Sequence, residues 1–229
     1  MAAQQPAGKR ERNKQEKLER ITAAASALLA ERGIDEITTQ QVADAADIGT
    51  GTLFLYAKTK GELLLLVQNA HYADALARGG AAAQHATTAL DAVMAYLRPI
   101  VECNRTHVEN GRTYLKEMVF GDPTEPYHAA ALEIVGRTEE SIAAMLTAHH
   151  GVDAERAARV ARIASAIMFL TLTPSAGAAL SVDALVDDIR QQVATLLQLS
   201  NAAATLTVSS ASARSAAPAA SASSSAVTV

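Results

Sequence analysis

An all-α fold is predicted: a small N-terminal three-helix domain with a helix-turn-helix layout, a connecting helix, and a larger helical body. Three observations predict it. Alanine, the strongest helix former, fills 51 of 229 positions, while the aromatic residues that strands favour are few, with 3 Phe, 5 Tyr and no Trp. Apolar residues recur at three- and four-residue spacing along most of the chain. Near the N-terminus, helix-capping patterns follow one another so closely that the helices between them must be short and held by packing.

Residues 1–12 read as a disordered basic arm. Asn13-Lys-Gln-Glu16 has the form of a capping box. Leu18, Ile21, Ala25, Leu28 and Leu29 then follow on one face, giving a first helix over about Lys14–Arg32, with Gly33 placed for a left-handed cap. Thr38-Thr-Gln-Gln41 forms a second capping box before a two-turn helix ending near Ala46. Asp47-Ile48-Gly49 makes a turn, and Thr50–Tyr56 a further short helix; Ala43, Ala46, Ile48 and Leu53 offer it a close apolar contact. Leu63–Ala77 is the connecting helix. Leu90, Val93, Met94, Leu97 and Val101 stripe the next, in which Pro99 removes an amide and predicts a kink. Tyr114–Phe120 is short. Val135, Ile142, Met145 and Leu146 mark a helix capped by Gly151, and Val160, Ile163, Ile167 and Leu170 one stopped near Pro174. Val182, Leu185, Val186, Ile189, Val193, Leu196 and Leu197 mark the last. Residues 201–229, with 11 Ala, 8 Ser and one charge (Arg214), carry too little bulky apolar surface to offset ordering entropy and read as a disordered tail.

Charge is unevenly placed. The net charge is −4, yet residues 1–20 hold six basic side chains (Lys9, Arg10, Arg12, Lys14, Lys17, Arg20) against three acidic ones. Such an end points to an anionic partner. One Cys excludes an intramolecular disulfide and favours a reducing compartment. No apolar run approaches the roughly 18 residues that span a bilayer, and the N-terminus lacks the apolar core of a secretory signal. A cytoplasmic protein is expected. Neither a phosphate loop nor a serine elbow is present, so no enzyme, cofactor or catalytic residue is indicated. Cys103 and His107 share a helix face but lack further ligands, so no metal is expected either.

The segment Thr38–Leu64, TTQQVADAADIGTGTLFLYAKTKGELL, resembles the N-terminal domain of the TetR (tetracycline-repressor-like) family of bacterial transcription regulators. Thr38, Val42-Ala43, Ala46, Ile48, Gly51-Thr52-Leu53, Tyr56, Lys60 and Leu63-Leu64 carry the match, which with the preceding helix spans about residues 14–66. Three positions depart from the family pattern: Gly49 for Ser, Phe54 for Tyr, and Ala57 for Phe.

Physically, Thr50, Gly51 and Thr52 suit the start of a recognition helix: glycine removes bulk, and threonine offers a hydroxyl to phosphate and a methyl to thymine. The resemblance turns Phe54 and Leu55 toward DNA, although both could equally be core. It lets Gln40 and Gln41 reach the DNA, and makes Thr38, Tyr56 and Lys60 phosphate contacts. Four regions are therefore expected: the arm (1–12), a DNA-binding domain (13–66), a ligand-binding and dimerisation domain (67–200) and the tail (201–229). Candidate pocket residues are Tyr72, Met94, Leu97, Cys103, His107, Tyr114, Met118 and Phe169, each of which could be ordinary core. Dimerisation is expected through the last two long helices, about Asp153–Thr173 and Val182–Leu199, with Ala157, Ala161 and Ala164 as small contact residues. The expected function is a repressor released from a pseudo-palindromic double-stranded operator by a small apolar effector. A helical carrier or enzyme with a vestigial N-terminal domain, and an effector-free architectural DNA-binding protein, stay open as alternatives.

Overall fold

Side-chain caps set where most of the helices begin. In the computed structural model, which describes residues 8–173 and 179–215, backbone N–H groups donate to the side chains of Thr38, Thr59, Thr88, His107 and Asp153, each one residue before a helix. Nine helices occur among the described residues: α1 (Lys9–Glu31), α2 (Thr39–Ala45), α3 (Thr50–Leu53), α4 (Lys60–Ala83), α5 (Ala89–Arg105), α6 (Val108–Phe120), α7 (Pro126–His150), α8 (Ala154–Leu172) and α9 (Val182–Ser215). The Thr38–Gln41 capping box forms in full, as its sequence predicts. Gly151 closes α7 in the left-handed conformation, φ 65°.

Several boundaries differ from the sequence reading. The first helix starts at Lys9, behind an uncapped Gly8, so Asn13–Glu16 lies inside it and the three basic side chains of the arm, Lys9, Arg10 and Arg12, are on the helix. Gly33 is not left-handed; Arg32 ends α1 in an extended conformation, and Gly33 is buried near His107. The last helix runs through Ser215, well past residue 201, because its Ala- and Ser-rich sequence contains neither Gly nor Pro until Pro218. Residues 1–7, Pro174 and residues 216–229 lie outside the described residues.

Helices α1 to α3 enclose a small core of Ile21, Ala25, Leu29, Val42, Ala43, Ala46 and Leu53, closed from below by Leu63 at the start of α4. A four-residue helix has no independent stability. Burial of Leu53 holds α3, a contribution of about 2 kcal/mol. In the body, α4 runs along α5 and α7, while α8 and α9 pack on the far side. Ala157, Ala161 and Ala164 face inward here, fully buried within the chain, so they do not supply the free face of α8.

The α4–α5 approach is close enough to require glycine. A Cβ at Gly79 would sit 2.4 Å from the Tyr96 carbonyl oxygen, whereas one at the adjacent Gly80 would only touch the Tyr96 ring at 3.8 Å. The two positions should therefore respond oppositely to alanine. Gly79→Ala is expected to lower stability by about 1–3 kcal/mol through overpacking. Gly80→Ala is expected to raise it by roughly 0.5–1 kcal/mol through lower backbone entropy in the unfolded state. Urea unfolding of both variants checks the pair.

Candidate functional site

The helix-turn-helix is built around exposed polar bridges. Thr38 Oγ1 accepts from the Gln41 amide at 3.1 Å, while Gln41 Oε1 accepts from the Thr38 amide at 2.8 Å. Both ends of the Gln40 amide are engaged: Nε2 donates to Asp44 at 2.6 Å, and Oε1 accepts from the Thr50 hydroxyl at 2.6 Å. This pair fixes α3 against α2. In the turn between them Asp47 adopts φ 52°, a left-handed geometry that Asp tolerates better than most residues. The Arg20 guanidinium on α1 lies 3.5 Å from its carbonyl and carboxylate.

Beyond Leu53 the chain continues as a hydrogen-bonded turn to Ala57, which donates to the Leu53 carbonyl at 3.0 Å. Leu53 and Ala57 point inward, so Phe54 and Leu55 point out, 44% and 84% exposed. Of the two sequence alternatives for these residues, core or surface, the structure has surface. Gly51 is also exposed, and a Cβ there would meet nothing within 4 Å. The fold itself therefore places no demand for glycine at that position.

Beside this surface runs the N-terminal half of α1. Lys9, Arg10, Lys14 and Lys17 line a groove whose other wall is Leu55 and Tyr56. The Tyr56 hydroxyl donates to the Lys14 carbonyl at 3.3 Å, tying the groove together. These basic residues were legible as a charge excess but not as site residues, because helical spacing does not show that α1 runs beside Leu55 and Tyr56. Lys60 lies below: its Nζ donates to the carbonyls of Ile34 and Asp35 at 3.0 and 3.3 Å, closing the turn after α1.

One buried side chain joins this domain to the body. Asn110, on the first turn of α6, donates through Nδ2 to the carbonyls of Leu29 and Arg32 at 3.0 and 3.2 Å. Its Oδ1 accepts from the Ile34 amide at 2.7 Å. It thus satisfies the open end of α1 from a residue 76 to 81 positions away in sequence. No local pattern announces such a partner.

The body contains an apolar cavity of about 490 Å³ between α4, α5, α6, α7 and α8. Tyr72, Tyr114, Met118 and Phe169 line it, as the sequence reading proposed. Met94, Leu97, Cys103 and His107 do not. Met94 and Leu97 are core, and His107 caps α6, its Nδ1 accepting from the Asn110 amide at 3.3 Å. Burial pushes the Cys103 thiol up to about 11, so it stays protonated. The Tyr72 and Tyr114 rings stack with centroids 4.5 Å apart. Their hydroxyls are anchored away from the cavity, Tyr72 accepting from Asn104 at 2.8 Å and Tyr114 donating to Asn69 at 2.9 Å. Burial raises both phenols well above the ordinary range. Ser165 also lines the cavity, and helix periodicity alone gave no reason to select it. Among the described residues, no group of three His, Cys, Asp or Glu is arranged to hold a metal, and no helix is long and apolar enough to cross a membrane.

A slim helix with an outward apolar and small-residue surface, set beside a basic helix, defines a helix-turn-helix DNA-binding domain. Residues 21–67 match the family model for bacterial regulatory proteins of the tetR family. The N-terminal domain is thus a TetR-family domain, and the chain carries the all-helical fold of TetR-family transcription regulators. Among solved structures, the FadR protein of Thermus thermophilus, a TetR-family transcriptional repressor in complex with lauroyl-CoA, is 23% identical. That match covers 79% of this chain and 93% of the other, with a TM-score of 0.63. A TetR transcriptional regulator from Rhodococcus sp. RHA1 is 18% identical over 81% of this chain and 97% of its own, TM-score 0.59. A TetR-family regulator from Streptomyces coelicolor is 20% identical over 80% and 95%, TM-score 0.57. No curated protein matches the chain by sequence.

Glu62, on the first turn of α4, is buried at the junction of domain and body; Oε2 accepts from the Lys58 amide at 3.1 Å, while Oε1 has no partner. Burial, reinforced by nearby Glu125, raises its carboxyl above the ordinary range. The native state therefore holds this proton to higher pH than the unfolded chain, and stability falls as pH rises through that window. Glu62→Gln keeps the acceptor without the charge. It is expected to unfold at a higher temperature than the parent at pH 7, the difference closing as pH falls through the carboxylate range. Calorimetric scans between pH 4 and 7 check this, a window of about three units chosen to bracket ordinary carboxyl titration.

Proposed function

We propose that this chain is a sequence-specific transcriptional repressor that acts by binding rather than catalysis, as a homodimer, and is released from its operator by a small apolar effector. The observation that carries the reading is that α6 serves two sites at once. Its first turn holds the end of α1 through Asn110, and its later turns, with Tyr114 and Met118, wall the cavity.

In this reading Thr50, Gly51, Thr52, Phe54 and Leu55 enter the major groove, with Gln40 and Gln41 at its edge. Thr38, Tyr56 and Lys60 join the lysines of α1 on phosphates. Lys60 keeps one ammonium proton for this after its two carbonyl contacts. A bound effector that displaces α6 shifts α1 and the start of α4. It can release DNA only if it favours the displaced state. Coupling of about 1–3 kcal/mol, or 5–150-fold in affinity, is typical of such systems. The lauroyl-CoA complex of the Thermus thermophilus protein supports a small-molecule effector, and the apolar lining of the cavity supports an apolar one. Operator binding also supports a cytoplasmic location.

Support for dimerisation comes from α8. Its outer face exposes Ile163 and Leu170, 44% and 66%, with Ile167 half-buried between them. A second copy placed there by a two-fold axis sets two recognition helices on one side, matching a pseudo-palindromic site. Val193 is fully buried inside one chain, so a charge there tests folding rather than association.

Footprinting on DNA flanking the protein's own gene tests the function. Dyad-symmetric protection is expected, and salt-sensitive binding without sequence preference would favour the architectural alternative. Because a Cβ at Gly51 meets only open space, Gly51→Ala should leave the melting temperature unchanged or raised. Its operator affinity should drop on the order of tenfold, the scale of one lost specific contact. Lys17→Ala should weaken all DNA sequences alike and reduce the salt slope by about 1. Ile163→Asp should keep the parent's circular dichroism yet sediment as a monomer; a stable dimer would place the interface elsewhere.

A further inference from the structure

We infer that the cavity takes an uncharged, predominantly apolar small molecule bearing one hydrogen-bonding oxygen, and that Ser165 holds that oxygen. The inference rests on the effector reading above and specifies the chemistry of its ligand.

Ser165 sits in the middle of α8, is 8% exposed, and its hydroxyl has no hydrogen-bond partner. Hydroxyls inside helices usually donate to the carbonyl four residues back. Thr138 does so to Ile134, Thr147 to Ala143 and Thr173 to Phe169. Ser165 does not; the residue borders the cavity with its oxygen buried just beneath the wall, so that rotation about χ1 presents it to a ligand. A buried hydroxyl without a partner is unfavourable, and an oxygen brought by a ligand removes that penalty. The remaining polarity of the wall is already used. The two tyrosine hydroxyls are bonded to Asn104 and Asn69, and the Thr138 proton is given to Ile134.

Charge is excluded by what faces the space. Glu139 and Arg162 are the charged side chains among the described residues lining it. They face each other at 3.8 Å, with the Arg162 side chain 82% exposed at the outer edge. A carboxylate or ammonium carried inside would lose its hydration and would have to compete for a counter-charge already engaged in the Glu139–Arg162 pair. The stacked Tyr72 and Tyr114 rings and the aliphatic wall instead favour apolar bulk, and about 490 Å³ is within the range of small-molecule sites.

The test uses the full chain without DNA and four probes on one scaffold: benzophenone, its deoxygenated counterpart diphenylmethane, diphenylacetate and diphenylmethylammonium. Titration calorimetry should show benzophenone binding about threefold to tenfold more tightly than diphenylmethane, the gain of one neutral hydrogen bond. Both charged probes should bind more weakly than either neutral one. In Ser165→Ala the ketone preference should vanish, leaving the two neutral probes equal. The variant should melt no lower than the parent, because it loses only an unpartnered hydroxyl. A ketone preference surviving in Ser165→Ala, tighter binding of either charged probe, or no binding of any probe would each overturn the inference. Footprinting is scored separately. Ketone binding through Ser165 in a protein that protects no DNA would keep this site and discard the repressor reading, whereas protection without probe binding would do the reverse.

Discussion

Asn110 satisfies three backbone groups at and just after the end of α1, and this contact ties the N-terminal domain to α6. Two carbonyls and one amide, all at the junction of the recognition domain with the body, converge on a single buried carboxamide. Removing it would strand the Leu29 carbonyl and the Ile34 amide away from water, at a cost on the order of 1–3 kcal/mol each. The position of α6 is therefore tied to that of the N-terminal domain, which α4 also carries. Lys60, which binds the carbonyls of Ile34 and Asp35, reinforces the same turn from α4.

A second polar layer lies next to it. Asn104 on α5 donates to the Tyr72 hydroxyl and to the Gly111 carbonyl, while Asn69 on α4 accepts from Tyr114 and donates to the Tyr127 carbonyl at 2.9 Å. The tyrosines thus give their ring faces to the cavity and their hydroxyls to α4 and α5. The ring packing and the junction beside it are linked by directional hydrogen bonds and not only by apolar surfaces. Such links favour a small number of discrete arrangements, which a switch requires.

The local chemistry of the recognition domain was legible in the sequence because its signals are short-range. Thr38 and Gln41 cap each other across three residues and Gly151 ends α7, whereas Phe54 and Leu55 were turned outward only by the family resemblance. Residues whose roles depend on distant partners were not. Asn110 reads as an ordinary helix-start asparagine until α1 is placed against it. Met94 and Leu97 lie on an apolar stripe just as cavity residues do, and periodicity says that a face is buried without saying whether it meets protein or empty space. Ala157, Ala161 and Ala164 show the same limit: small residues allow close packing, but α7 and α9 inside the chain use that allowance before any second copy can.

The extension of α1 to Lys9 changes what its charge can do. In a disordered arm, each lysine that binds a phosphate must also lose chain entropy, whereas residues already helical lose mainly side-chain freedom. Lys14 and Lys17, one turn apart, and Lys9 and Arg10 before them form a rigid basic edge along the groove shared with Leu55 and Tyr56. Because Tyr56 donates to the Lys14 carbonyl, this edge keeps its register with the recognition turn. The same α1 is held at its other end by Asn110. A displacement of α6 transmitted through Asn110 would therefore move this basic edge and the outward surface of α3 together.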